Sequence, residues 1–344
     1  MTSRERMEQV FLGQKPDRMP FVPSIYEHGA AVLGTNPSRA SIDAGLMADA
    51  ALASYEVYQH DLVTVGIDIY NIEAEAFGCP VKRFDDNSIP AIDGHPLADM
   101  DPIDPWALSE PSLDGPNRLG IITEACQKVV KEISGKVFVY ACVAGPFSQA
   151  VELRGFERLL MDMIESPDRV HALLEKTTNL LVRHARRLSE TGVGINLYES
   201  WATLPLISPD IFRDFVVPYN KKVIAEVRAS YTTPPPALIM GGNTSVLIDF
   251  FINAQTSLIA ADYNTDFPYI RKRIEESGSN MVVRGCLDPK MIERGDWENL
   301  DPAIKKLAEK SRGMNNFVWG CGCVSFNTSQ ENLLQFKKYC LAAR

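Results

Sequence analysis

Two thiols stand two residues apart in Gly320-Cys321-Gly322-Cys323, at the end of an apolar run that reads as a buried strand. Thiols in such a loop can be soft metal ligands, a redox pair or bystanders. They are too close for an unstrained mutual disulfide and lack the Cys-x-x-Cys redox spacing. As metal ligands they would need further donors from elsewhere in the chain. Other residues with chemistry to offer also fall just past short apolar runs: Tyr26-Glu27-His28, then Asp68, Tyr70, Asn71, Glu73 and Glu75, then Gly145-Pro146-Phe147. Glu199 and Trp201, Gly241-Gly242-Asn243, Asp262-Tyr263, and Arg284, Cys286 and Asp288 complete the set.

Several of these have a plainer reading. Glu73 and Glu75 suit a helix start, where acids favour the dipole. Cys286 reads as a small buried hydrophobe rather than a ligand. His28 stands out among the five histidines because it alone follows a strand end; His171 and His184 sit in helical pattern.

The elements that must position these groups are short β-branched runs alternating with longer stretches of helical period, the pattern of βαβ units on a parallel sheet. Strands are expected at 19–25, 62–69, 137–143, 194–198, 237–240, 257–261, 281–286 and 316–320. Ser166-Pro167 marks the start of a helix that Gly192 stops. Eight strand-helix repeats in 344 residues favour a (β/α)8 TIM barrel, an α/β fold, over an open doubly wound sheet. No glycine-rich dinucleotide fingerprint or P-loop follows the first strand. The charged start of the chain reads as an N-terminal helix, and residues 1–344 as one barrel domain. The stretch 80–116 carries seven prolines and Asp-rich turns between strands two and three. It reads as an irregular insertion, either a lid over the barrel mouth or a surface excursion. In such a barrel the chemistry gathers at the strands' carboxyl ends, where the candidates above converge.

At 45% hydrophobic and 23% charged, the composition is that of a soluble globular protein. The formal charge of -9 argues against nucleic acid as the main partner, and the basic run Arg183–Arg187 reads as a solvated helix face. No apolar stretch reaches the roughly 18–20 residues of a membrane helix. Seven scattered cysteines and no visible export signal point to the reducing cytoplasm and free thiols.

Six stretches, RMEQVFLGQKPDRMPF, EAEAFGCPV, GPFSQAVELRG, LISPDIFRDFVVPYNKKV, GGNTSVLIDFF and GCGCVSFNTSQENL, carry a resemblance that runs nearly end to end. The chain resembles the uroporphyrinogen decarboxylase superfamily, and within it the branch that moves methyl groups to or from corrinoid proteins. The resemblance implies the same (β/α)8 fold with its site at the strand carboxyl ends. The decarboxylase itself grips its substrate with an arginine-rich RQAGRY segment; this chain has SIYEHGA there. Thiol-methylating members carry His-x-Cys in LHICGN and a third zinc ligand in the terminal GCG. Here the matching stretch is LIMGGN, with Ile239 and Gly241 at those two positions, while Cys321 keeps the third and Glu199 matches an acidic position.

PSIYEHGA and TVGIDIYNIEAEAFG resemble members that demethylate methoxylated aromatics. The resemblance therefore implies O-demethylation: a small methyl donor gives its methyl to Co(I) of a separate corrinoid protein, since the chain has no corrinoid-binding domain of its own. Glu199 or His28 would serve as acid, and Cys321 as a catalytic residue. A zinc held by Glu199, Cys321 and Cys323 would be the Lewis acid, with a metal-free site as the alternative. Tyr26, Tyr70 and Trp201 would pack the donor's ring, and Asn71, Asn243 and Asp262 would contact it. Methylation of a thiol or tetrahydrofolate, and a non-catalytic relative, are the other readings.

Overall fold

The computed structural model describes residues 1–115, 117–230 and 234–343. Seven strands form one parallel sheet in the order β1-β4-β5-β6-β7-β8-β9. They are β1 (Leu62–Val65), β4 (Phe138–Ala144), β5 (Gly194–Tyr198), β6 (Ala237–Ile239), β7 (Leu258–Ala261), β8 (Val282–Leu287) and β9 (Phe317–Cys321). Helices follow them on the outside, giving the expected barrel-like α/β architecture. The remaining two strands, β2 (Val81–Lys82) and β3 (Ala91–Ile92), pair antiparallel in the proline-rich stretch.

The expected first strand differs in kind. Residues 20–24 lie in the eighth position but pair with β9 only through parallel bridges, Phe21 with Trp319 and Ser24 with Cys323. Val22 donates to the Trp319 carbonyl at 2.7 Å, and on the other side the Asp61 N–H donates to the Phe21 carbonyl at 2.8 Å. Pro20 and Pro23 explain the difference, since each removes a donor that a full ladder needs.

Alternation along the strands sorts side chains into two layers. Phe138, Tyr140 and Cys142 of β4, Val282 and Cys286 of β8, and Val318 of β9 fill the barrel interior. Val139, Ala141, Val143, Val283, Leu287, Phe317, Trp319 and Cys321 face the helix layer. The N-terminal helix Ser3–Phe11, closed by a Thr2/Glu5 capping box, packs Met7 and Val10 into the interior cluster. Asp61, fully buried just before β1, accepts from Arg6 Nη1 at 2.6 Å, Arg18 Nη1 at 2.7 Å and the Phe21 N–H at 2.7 Å. One carboxylate thereby ties the helix and the 20–24 segment to the sheet.

The helix Pro167–Ser189 starts on proline as expected, and Gly192 beyond it takes φ +95°. The proline-rich stretch is strapped to the helices, and none of its described residues lines the cavity at the strands' carboxyl ends. Arg154, 3% exposed, donates from Nη1 to the Met100 carbonyl at 2.7 Å and from Nε to Asp162 at 2.6 Å. Arg169 and Arg183 bind the Ile103 and Pro111 carbonyls, and Leu97, Ile103 and Leu108 are buried. The expected end of the insertion, Pro116, lies outside the described residues. Among the described residues, no helix is long and apolar enough to cross a membrane.

Candidate active site

At the carboxyl ends of the strands lies a cavity of about 200 Å³. One wall is aromatic. Tyr26 and Tyr198 share a hydrogen bond between hydroxyls at 2.7 Å and meet edge to face, and Tyr70, bonded to Ser200, packs edge-on to Tyr198. Burial raises the pKa of all three phenols, so they act as neutral hydrogen-bond donors. Arg284, Cys286, Cys323, Gly241 and Asp262 also line the cavity, and Ile239 stands beside Tyr198 on the neighbouring strand. Asp262 accepts from the backbone N–H groups of Gly242 (3.0 Å) and Tyr263 (2.9 Å). A larger depression of about 830 Å³, lined by Phe138, Ser257 and Met281, lies at the strands' amino ends, the face that serves stability in barrels.

Of the sequence-predicted residues, the fold brings Tyr26, Tyr70, Asp262 and Cys323 to the cavity. The others stand elsewhere. Glu199 is fully buried against the start of the helix Pro146–Arg154. Its oxygens accept from the Phe147 N–H at 3.2 Å, the Ser148 N–H at 2.9 Å and the Ser148 hydroxyl at 2.7 Å. Gly145 makes room for it: a Cβ there would lie 2.1 Å from the Glu199 carboxyl carbon. Burial pushes this carboxyl up to about 7 against the pull of those hydrogen bonds.

His28 is buried with both ring nitrogens engaged. Nδ1 donates to the Ser325 carbonyl at 3.0 Å, which leaves Nε2 to accept from the Tyr58 hydroxyl at 2.8 Å. Burial lowers its pKa, keeping it neutral. Cys321 faces the helix layer in the outer cluster, its thiol pushed up to about 12 by burial. Asn71 binds the Asp68 carboxylate and the Pro90 carbonyl, Trp201 donates to Glu152 and stacks on Phe156, and Asn243 closes its own turn onto Ser245.

These positions decide the fit of zinc. Glu199, Cys321 and Cys323 are not brought together, and among the described residues no three His, Cys, Asp or Glu side chains form a group that could hold a metal. Glu199 spends its oxygens on a helix end and Cys321 points the other way. The donor set does not fit a zinc at that trio.

Sequence reasoning left out the lining residue Tyr198, and it named Arg284 and Cys286 at a strand end without giving either a role. Strand period links those two: Val282, Arg284 and Cys286 alternate on one face of β8, so an inward cysteine implies an inward arginine.

The uroporphyrinogen decarboxylase (URO-D) family model matches residues 2–341. The chain belongs to the URO-D family. Among curated URO-D relatives, the methylcobamide:CoM methyltransferase MtbA of Methanosarcina mazei is 28% identical over 334 residues, covering 95% of this chain and 94% of that protein. The methylated-thiol–coenzyme M methyltransferase of the same organism is 24% identical, covering 99% and 89%. A solved methyltransferase from Methanosarcina mazei superposes with a TM-score of 0.84 at 20% identity, covering 99% of this chain and 98% of its own. That likeness establishes the fold.

Proposed function

We propose that this URO-D protein is a methyltransferase that exchanges a methyl group between a small molecule in the tyrosine-lined cavity and the cobalt of a separate corrinoid protein. The near full-length similarity to two methyltransferases, one named for methylcobamide, supports that general reading.

For the small molecule, we favour a methoxylated aromatic as donor. The observation that carries this is the cavity lining itself: Ile239 and Gly241 line it at the positions where thiol-methylating members hold zinc ligands, in a cavity shared with three tyrosines. An aryl methyl ether needs an apolar, aromatic seat and a hydrogen bond to the oxygen it leaves behind. Co(I) attacks the methyl carbon, the C–O bond breaks, and its electron pair stays on the phenolic oxygen. Of the paired hydroxyls of Tyr26 and Tyr198, one donates to the other, which leaves the second's proton to donate to that oxygen. With burial raising both pKa values, they stabilise the phenolate by hydrogen bonding, and solvent supplies its proton afterwards.

Methyl transfer onto a thiol is the second reading, favoured by the activities for which the relatives are named and by Cys286 and Cys323 at the cavity. Product analysis separates the two. Incubation with reduced corrinoid protein and a methoxyarene should release the corresponding phenol; release of none, with methylated thiol formed from methyl-corrinoid instead, would replace the first reading by the second.

A further inference from the structure

Arg284 is the feature of the cavity that methyl transfer alone leaves unused. It is 6% exposed, projects from β8 into the barrel and lines the cavity. Its Nε has no hydrogen-bond partner, and its guanidinium forms no ion pair among the described residues. Around it in the cavity stand the Cys286 thiol and the Tyr26 and Tyr198 phenols, which burial keeps neutral. Asp262, the acid in the same cavity, is turned to the N–H groups of Gly242 and Tyr263.

The placement is built, not incidental. A Cβ at Gly320 of β9 would lie 2.5 Å from Arg284 Cγ and 2.7 Å from Cδ, so the glycine leaves the channel through which the arginine stem runs. The other buried arginines are paired: Arg6 with Asp61, Arg118 with Asp68, Arg154 with Asp162. A guanidinium buried without a counter-charge is costly, and such groups are kept where a ligand completes them.

We propose that Arg284 is the anchor for an anionic group, a carboxylate or sulfonate, on the small molecule whose methyl is transferred. The planar fork matches either group through two parallel hydrogen bonds. The anion would seat between Arg284 and the thiols while the rest of the molecule lies against the tyrosines. Arg284 is thereby a specificity-determining residue that selects acids over neutral analogues. The proposal rests on the methyl-transfer reading only for the reacting end of the ligand; the anion site itself is independent of it.

The test compares matched pairs by calorimetry without any corrinoid protein: 3-methoxybenzoate against 3-methoxybenzyl alcohol, and 2-mercaptoethanesulfonate against 2-mercaptoethanol. In the wild-type protein the anion of at least one pair should bind about ten- to a hundredfold more tightly than its neutral twin. The pair that shows it identifies the source, an aromatic acid or a thiol sulfonate. Arg284→Met should abolish the preference by weakening the anion far more than its neutral twin, and Arg284→Lys should keep part of it. Thermal stability guards against a merely structural role: Arg284→Met should keep or raise Tm, because it removes an unpaired buried charge. The bound anion should raise Tm in the wild type alone. Equal affinities within both pairs, failure of both anions to bind at millimolar concentration, a preference that survives in Arg284→Met, or a fall in that variant's Tm would each overturn the proposal. Anion preference without methyl transfer to a competent corrinoid protein would refute the proposed function and leave the anchor standing.

Discussion

Glu199 shows how one side chain can match a family's acidic position and be spent on architecture here. Its carboxyl sits at about 7, above the normal 4.5, because burial outweighs the Ser148 and Phe147 hydrogen bonds. A carboxyl whose folded pKa is raised contributes stability that is fully present below 4.5 and lost as pH rises through about 7. Glu199→Gln should therefore flatten that part of the stability profile, so that the wild type loses ground to the variant over this window in denaturant titrations. A constant difference across the window would mean that the carboxyl is not held protonated. The side chain's type and position were legible in the sequence. Its orientation was not, because that depends on Gly145 in a distant segment leaving space for it. Cys321 and Cys323 teach the same lesson: two residues apart, they would share one face of a continuous strand, but β9 ends at Cys321, so that thiol stays in the helix layer while Cys323, past the strand end, reaches the cavity.

At the scale of elements, strand period and helix caps gave most of the sheet directly, since buried parallel strands read as continuous apolar runs. The 20–24 segment was placed correctly in order, but its prolines reduce it to bridges. The proline-rich stretch was recognisable as irregular, whereas its destination depends on side chains far along the chain, Arg154 above all. Arg154→Met should release the strap, because it removes the guanidinium that binds the Met100 carbonyl and pairs with Asp162. Limited proteolysis should then cut within 80–115 many times faster, while ligand affinity at the cavity stays the same, since no strap residue lines it. A matching loss of affinity would show that the strap shapes the mouth after all.

The whole barrel depends on seating the 20–24 segment between β9 and β1, and Asp61 is the knot on the β1 side. It is fully buried and accepts from two arginines and the Phe21 backbone. Removing one member of such a buried set leaves uncompensated charge, so Asp61→Ala should cost about 3–5 kcal/mol in equilibrium unfolding. A loss below about 1 kcal/mol, the worth of an exposed pair, would mean that closure rests on packing alone. Nothing in the sequence marked Asp61 for this role, because its partners lie 43 and 55 residues away.

The central claim is that the strand-end cavity carries methyl transfer to corrinoid cobalt, and one optical experiment tests it most directly. Protein and reduced corrinoid protein are mixed anaerobically with a methoxyarene, with and without a strong chelator, and with native protein or protein alkylated at Cys323, the one exposed thiol of the seven. Conversion of Co(I) to methyl-Co(III) that persists with chelator and is lost on alkylation is the expected result. Absence of conversion with a partner proven competent on another methyltransferase, or conversion that Cys323 alkylation leaves untouched, would contradict it.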